Sequence, residues 1–238
     1  MDKGGKFVHL NNTPPTQFMK LKSLLLTVLV LFGGCSKSKD SVTPVAQEVW
    51  FFGDSITVGL GATVPTNRWT SKLAKAKDWV EHNQGVNGET LIQASETTGY
   101  GTFFERYKYD LPKKPAGGKY VFISYGANDC NFNFPDYTTA LFSTQLQTII
   151  TFANSQGWAN NNIVVLCGYF ENDASWTGGT MARYNSFISA AQTVAQNNAG
   201  VYFVNPFNTY DATELSDHLH PNDAGYAAIA AYVAVQTP

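Results

Sequence analysis

Cationic clusters are missing from this sequence. Lys and Arg number 16 against 18 Asp and Glu, and no basic run or patch stands out, which argues against nucleic acid as a partner. No His/Cys/carboxylate spacing matches a known ligand pattern, so neither a metal nor another cofactor is called for. Long apolar runs are missing too. The stretch Leu24 to Phe32 falls well short of the roughly 20 residues that cross a bilayer. Cysteine is scarce, with 3 in 238 residues. Cys130 and Cys167, the two in the body of the chain, invite a disulfide in an oxidising compartment or serve as small core residues; both readings stay open.

The N-terminus reads as an address rather than as part of a fold. Met19 opens a segment with Lys20 and Lys22, the apolar run Leu24 to Phe32, then Gly33, Gly34 and Cys35 before the polar Ser36 to Asp40. A basic start followed by a short apolar stretch is the pattern of an export signal. A cysteine directly after two small residues resembles a bacterial lipoprotein signal, although Phe32 and Gly33 depart from its commonest form. That resemblance implies lipidation of Cys35 and a membrane anchor through the lipid; ordinary secretion of a soluble product is the alternative. The chain then divides into a signal peptide at 1–34, of which 1–18 reads as an extension upstream of the true start, a polar tether at 35–47, and one domain at 48–238. The expected location is the bacterial envelope, periplasmic or cell-surface. Loss of the signal removes Lys3, Lys6, Lys20 and Lys22 but only Asp2, so the mature protein is more acidic than the full chain.

From Val49 onward short apolar runs alternate with helical patterns. Val49 to Phe52, Tyr120 to Tyr125, Ile163 to Cys167 and Val201 to Val204 are continuous and bounded by turn residues, as strands buried on both faces are. Trp79 to His82 is a weaker fifth. Helical spacing runs over 68–77, 138–155, 181–196 and 223–235, the last with Asn222 as its N-cap. Alternation of this kind predicts an α/β fold, with a parallel sheet of about five strands covered on both faces. No repeat or linker divides it, and its length suits one domain.

Ligands of such sheets bind beyond the C-terminal strand ends, and four fragments fall there in order. Ser55 follows the first strand in Gly53-Asp54-Ser55. Alone, that tripeptide is turn chemistry. Gly88 follows the second strand, offering a backbone N–H with no side chain in the way, and would otherwise be a plain turn glycine. Asn128, in Gly126-Ala127-Asn128-Asp129, offers a side-chain N–H that could equally cap a turn. Asp217 and His220 precede the last helix, one local turn apart. Together they supply a nucleophile, its base with an orienting carboxylate, and oxyanion donors that include the Ser55 amide. His82 is better read as a packed strand residue and His218 as a surface or supporting one.

These four blocks, from about residue 49 to 235, resemble those of the SGNH hydrolases, also called the GDSL esterase and lipase superfamily. The resemblance implies a flavodoxin-like three-layer α/β/α sandwich and carboxylic ester hydrolysis. It implies Ser55 as nucleophile, Gly88 and Asn128 completing the oxyanion hole, and Asp217 with His220 as the rest of the triad. Ile56 stands where that family's name has Leu, and Glu89 where Asp is frequent; neither change touches a reacting atom. The chain lacks the Gly-x-Ser-x-Gly elbow of α/β-hydrolases.

The substrate is less legible. Tyr100, Phe103, Phe104, Tyr107, Phe132, Phe134, Tyr137, Tyr169, Phe170 and Trp176 crowd the segments after the strands. Rings there can stack on sugars or line an acyl groove, although Phe103, Phe104 and Tyr107 suit helix packing better. No long amphipathic flap suggests interfacial activation. A small-molecule or glycan ester is expected, with acetyl esters of carbohydrate preferred over lysophospholipid, short-chain lipid or general ester substrates. A glycan-binding surface lipoprotein on a degenerate hydrolase scaffold is the non-enzymatic alternative.

Overall fold

The computed structural model describes residues 45–94, 99–132, 134–169, 180–206 and 208–238. The signal segment, Cys35, most of the tether, Phe170 and Trp176 lie outside the described residues. Five strands form one sheet: β1 (Gln47–Gly53), β2 (Trp79–Asn83), β3 (Gly118–Ser124), β4 (Ile163–Leu166) and β5 (Tyr202–Val204). Every pairing is parallel, in the order β2-β1-β3-β4-β5. That is the flavodoxin-like order, in which the strand sequence reverses beside β1.

The two-residue period of β1 divides the interior into two cores. Trp50 and Phe52 face one side with Val121, Ile123, Ile163 and Val165 of the neighbouring strands. Val49 and Phe51 face the other with Tyr120, Phe122, Val164 and Leu166. The run from Val49 to Phe52 is apolar at every position and buried on both faces, and helices supply the cover. They are α1 (Ser55–Val58), α2 (Trp69–Lys77), α3 (Phe103–Asp110), α4 (Ala127–Asn131), α5 (Thr139–Ser155), α6 (Met181–Asn197) and α7 (Asp223–Gln236). The first face packs on α3, α5 and α6 through Phe103, Phe142, Leu146 and Phe187. The second packs on α2 and α7 through Trp69, Leu73, Tyr226 and Ile229. Three layers result, as expected. Cys130 and Cys167 are buried in the first core.

The weak apolar pattern of β2 follows from its place at the edge, where only Trp79 is buried. On that edge His82 stacks on Trp50, with centroids 4.3 Å apart, and bonds Glu48 at 2.8 Å. Asn222 caps α7 as expected, accepting from the amides of Ala224 and Gly225. Helix α3 was not anticipated, because it buries only Phe103 and Tyr107 and is otherwise polar. Its start is set by Thr102, whose hydroxyl accepts from the Glu105 amide.

Candidate active site

The site is built where β1, β2 and β3 end. Asp54 leaves β1 in extended backbone and caps α1 by accepting from the Ile56 amide at 3.0 Å. Ser55 is therefore the first residue of that single turn, 6% exposed. The segment after α1 meets the loop between β5 and α7. A Cβ on Gly61 would stand 2.5 Å from the Pro221 carbonyl oxygen, so only glycine allows the approach. Asp223 fastens the contact, accepting from the Thr63 amide at 2.9 Å and from Asn67 Nδ2 at 2.8 Å.

That loop folds on itself around Asp217. One carboxylate oxygen accepts from the amides of Leu219 at 2.8 Å and His220 at 2.7 Å. The other lies 2.8 Å from His220 Nδ1. Ser216 N donates to the His220 carbonyl at 2.8 Å, which closes the turn. The far ring nitrogen, Nε2, then stands 2.9 Å from Ser55 Oγ. With Nδ1–H given to Asp217, Nε2 is left as the acceptor for the serine proton. Partial burial opposes the charge on Asp217, but the hydrogen bonds from His220 and Leu219 hold its carboxyl below the usual carboxylate range.

Gly88 sits in a turn closed by the Glu89 amide on the Val86 carbonyl. Its φ of 71° favours glycine, and a Cβ there would lie 2.6 Å from the Tyr100 ring. Asn128, the second residue of α4, donates one side-chain N–H to the Glu89 carbonyl at 3.0 Å. Its amide carries a second N–H. Ser55, Gly88, Asn128 and His220 line one cavity of about 250 Å³, walled by Leu60, Tyr100 and Phe132. All five residues singled out in the sequence thus meet at one sheet edge. His218 is exposed.

Several buried groups beneath the cavity were not anticipated. Asp54, Glu89 and Asp129 are all buried. Burial, reinforced by the charges of Asp129 and Glu89, pushes the Asp54 carboxyl up to about 7. Burial likewise lifts Asp129 to about 6, although the Ile92 and Leu91 amides work against it. Arg106, on α3, meets Glu89 through Nε at 2.6 Å and Nη2 at 2.7 Å. Burial counts against the guanidinium charge, but that bond to Glu89 holds it more firmly protonated. Asp129 and Glu89 directly follow the two candidate donors in sequence, a signal that could have drawn attention to them. Arg106 lies in no motif. Among the described residues, no group of three His, Cys, Asp or Glu side chains could hold a metal ion.

Residues 51–228 match the GDSL-like lipase/acylhydrolase family. No curated protein matches the chain. Several solved structures share its fold. A family two carbohydrate esterase from Clostridium thermocellum, in complex with cellohexaose, aligns with TM-score 0.64 at 19% identity. The alignment covers 81% of this chain and 64% of that one, so this chain spans under two thirds of that protein's length. A lipase/acylhydrolase from Enterococcus faecalis aligns with TM-score 0.62 at 20% identity, over 79% of this chain and 94% of the other. A carbohydrate acetylesterase family member from Sinorhizobium meliloti gives TM-score 0.61 at 17% identity, over 79% and 96%. At such identities the likeness speaks for the fold, whereas the family match runs over most of the sequence. The chain belongs to the GDSL-like lipase/acylhydrolase family.

Proposed function

We propose that this protein hydrolyses carboxylic esters through an acyl intermediate on Ser55. The observation that carries the reading is the run of contacts from Ser55 Oγ to His220 Nε2 at 2.9 Å and from His220 Nδ1 to Asp217 at 2.8 Å. His220 takes the hydroxyl proton as Oγ attacks the ester carbonyl, and Asp217 stabilises the imidazolium that forms. The Ser55 and Gly88 amides and the second N–H of Asn128 receive the developing oxyanion. One such donor is worth roughly 10²–10³ in turnover. Collapse expels the alcohol, which takes the proton from His220. Water, activated by the same imidazole, then releases the acid and restores Ser55.

The substrate reading is a small acyl group on a carbohydrate alcohol. A cavity of about 250 Å³ falls below the roughly 300–1,000 Å³ of pockets that enclose drug-sized ligands, which suits an acetyl group better than a fatty acyl chain. Structures of similar fold include a carbohydrate esterase with cellohexaose bound and a carbohydrate acetylesterase family member, which favours sugar as the alcohol. The basic and apolar N-terminal segment ending in Cys35 supports export and a lipid anchor in the bacterial envelope.

Turnover of p-nitrophenyl acetate by the purified protein, with Ser55→Ala as control, tests the reaction. A loss of about 10⁴-fold or more is expected. Equal turnover by the variant would remove Ser55 from the mechanism. Release of acetate from acetylated xylan then tests the alcohol.

A further inference from the structure

The two oxyanion donors outside α1 come from different segments. Gly88 belongs to the loop after β2, and Asn128 to α4 after β3. A hole made of such parts stabilises charge only if their separation is held to a fraction of an ångström.

Three sets of contacts hold it, some buried and some at the surface. Asn128 Nδ2 donates to the Glu89 carbonyl at 3.0 Å, which ties one donor to the residue following the other. Asp129, next to Asn128, accepts from the amides of Leu91 at 3.1 Å and Ile92 at 2.8 Å. The Glu89 carboxylate is 2% exposed and receives the two Arg106 bonds plus the Tyr125 hydroxyl at 2.5 Å. Arg106 Nη2 also donates to the Gln84 carbonyl at 2.9 Å, so one guanidinium pins both ends of the 84–89 loop. Its third nitrogen reaches Asp110 at 2.7 Å, and its Cζ lies over the Phe103 ring, 5.1 Å from the centroid. Tyr125 in turn begins the segment that leads into Asn128.

With Glu89 buried and Arg106 half-buried, an ion pair of this kind is a poor way to gain stability, since apolar residues of similar volume often do as well. Its geometric specificity is the better explanation. We infer that the Arg106–Glu89 pair, with Tyr125, is a positioning device for the oxyanion hole, setting Gly88 against Asn128. The inference rests on the ester-hydrolase reading of the site. Neither Glu89 nor Arg106 touches the reacting atoms; both act through the loop that carries Gly88.

The experiment measures kcat and KM on p-nitrophenyl acetate for Glu89→Gln, Glu89→Asp, Arg106→Lys and Ser55→Ala. Affinity for a boronic acid that forms a tetrahedral anion on Ser55 is measured alongside. Glu89→Gln keeps the shape and drops the charge, and is expected to lower kcat about 10- to 100-fold with KM within about 3-fold. Boronate affinity should fall by a similar factor, because it depends on the same hole. Arg106→Lys keeps the charge but not the fork and is expected to show the same kcat loss. Glu89→Asp keeps a carboxylate for the guanidinium and is expected to recover most of the rate. Folding is checked by circular dichroism and the thermal midpoint; if Glu89→Gln does not fold, Arg106→Lys carries the test. Folded variants with unchanged kcat, or a kcat loss without weaker boronate binding, would overturn the inference. An inactive wild type, or full activity in Ser55→Ala, would instead remove the ester-hydrolase reading and this inference with it.

Discussion

His220 Nε2 stands 2.9 Å from Ser55 Oγ, although 165 positions separate the two residues in the chain. The contact depends on Asp217, which fixes both the ring and the backbone of His220. Asp217→Asn would present an N–H to Nδ1 and favour the tautomer with the proton on Nε2, which cannot accept from Ser55. Turnover near neutral pH is expected to fall roughly 10²–10⁴-fold with little change in KM. Steady-state kinetics on p-nitrophenyl acetate checks this, and a loss below about threefold would place Asp217 outside the proton path.

Gly88 faces two separate obstacles to a side chain: its φ of 71° and the Tyr100 ring, 2.6 Å from where a Cβ would lie. Left-handed backbone costs a non-glycine residue about 1–2 kcal/mol, and the ring must also move. Under the proposed mechanism Gly88→Ala is expected to lower kcat about 10²-fold or more by displacing an oxyanion donor. Adding Tyr100→Ala removes the second obstacle and leaves the first, so the double variant should recover part of the rate. Full recovery would show that steric contact alone selects glycine here.

The layers and the Asp217–His220 pairing were legible because each rests on local pattern. The meeting of Ser55 with His220 followed from the rule that ligands bind beyond the strand ends. Short apolar runs bounded by turn residues, such as Ile163 to Leu166, read as doubly buried strands, and Asp217 lies three residues before His220, within reach of one turn. What stayed hidden depends on contacts made at a distance. Arg106 and Glu89 are 17 positions apart, and nothing local says that Glu89 is buried or that the two side chains meet. Asp54 and Asp129 look like turn carboxylates, yet the converging strand ends close over them. In α3 the rings of Phe103, Phe104 and Tyr107 suited helix packing, but the rest of the segment is polar and too short to declare a period.

Asp54 makes stability depend on pH. Its carboxyl is raised from 3.8 to about 7 in the folded protein by burial. The folded state therefore holds a proton that the unfolded chain has given up, and the associated stability is complete below pH 3.8 and lost as pH rises through about 7. Asp54→Asn resembles the protonated acid and keeps an acceptor for the Ile56 amide. Relative to wild type it should gain stability progressively across that interval, by a few kcal/mol at the alkaline end, to order of magnitude. Asp129, raised to about 6, retains its own smaller slope. Urea midpoints from pH 4 to 8 measure the difference, and parallel profiles for the two proteins would refute it.

Cys35 follows Gly33 and Gly34 at the end of the N-terminal apolar segment. If it carries lipid, Cys35→Ser should move the protein from the membrane pellet to the soluble fraction of expressing cells. A single acyl chain binds membranes only marginally, whereas two or more anchor stably, so the shift should be nearly complete. An unchanged distribution would refute lipidation.

The choice of acyl group turns on which side of the cavity each half of the ester occupies. In the proposed reaction His220 protonates the departing alcohol, which would place the alcohol beside Nε2 and Leu219. The acyl group is then directed towards Tyr100, whose ring rests against Gly88 and stacks with Phe132 at 6.4 Å between centroids. These rings shorten the space available to the acid portion. A series of p-nitrophenyl esters holds the alcohol constant, so differences in kcat/KM report the acyl side alone. Wild type should prefer acetate and decline with length. Tyr100→Ala, which removes the nearer ring, should move the optimum to butyrate or longer, by about 10-fold or more in the ratio of butyrate to acetate. Each mismatched methylene is worth about 10- to 200-fold, and butyrate carries two more than acetate. A wild-type optimum at octanoate, or a Tyr100→Ala profile superimposable on wild type, would place the acyl group elsewhere and return the long-chain lipid substrates to contention.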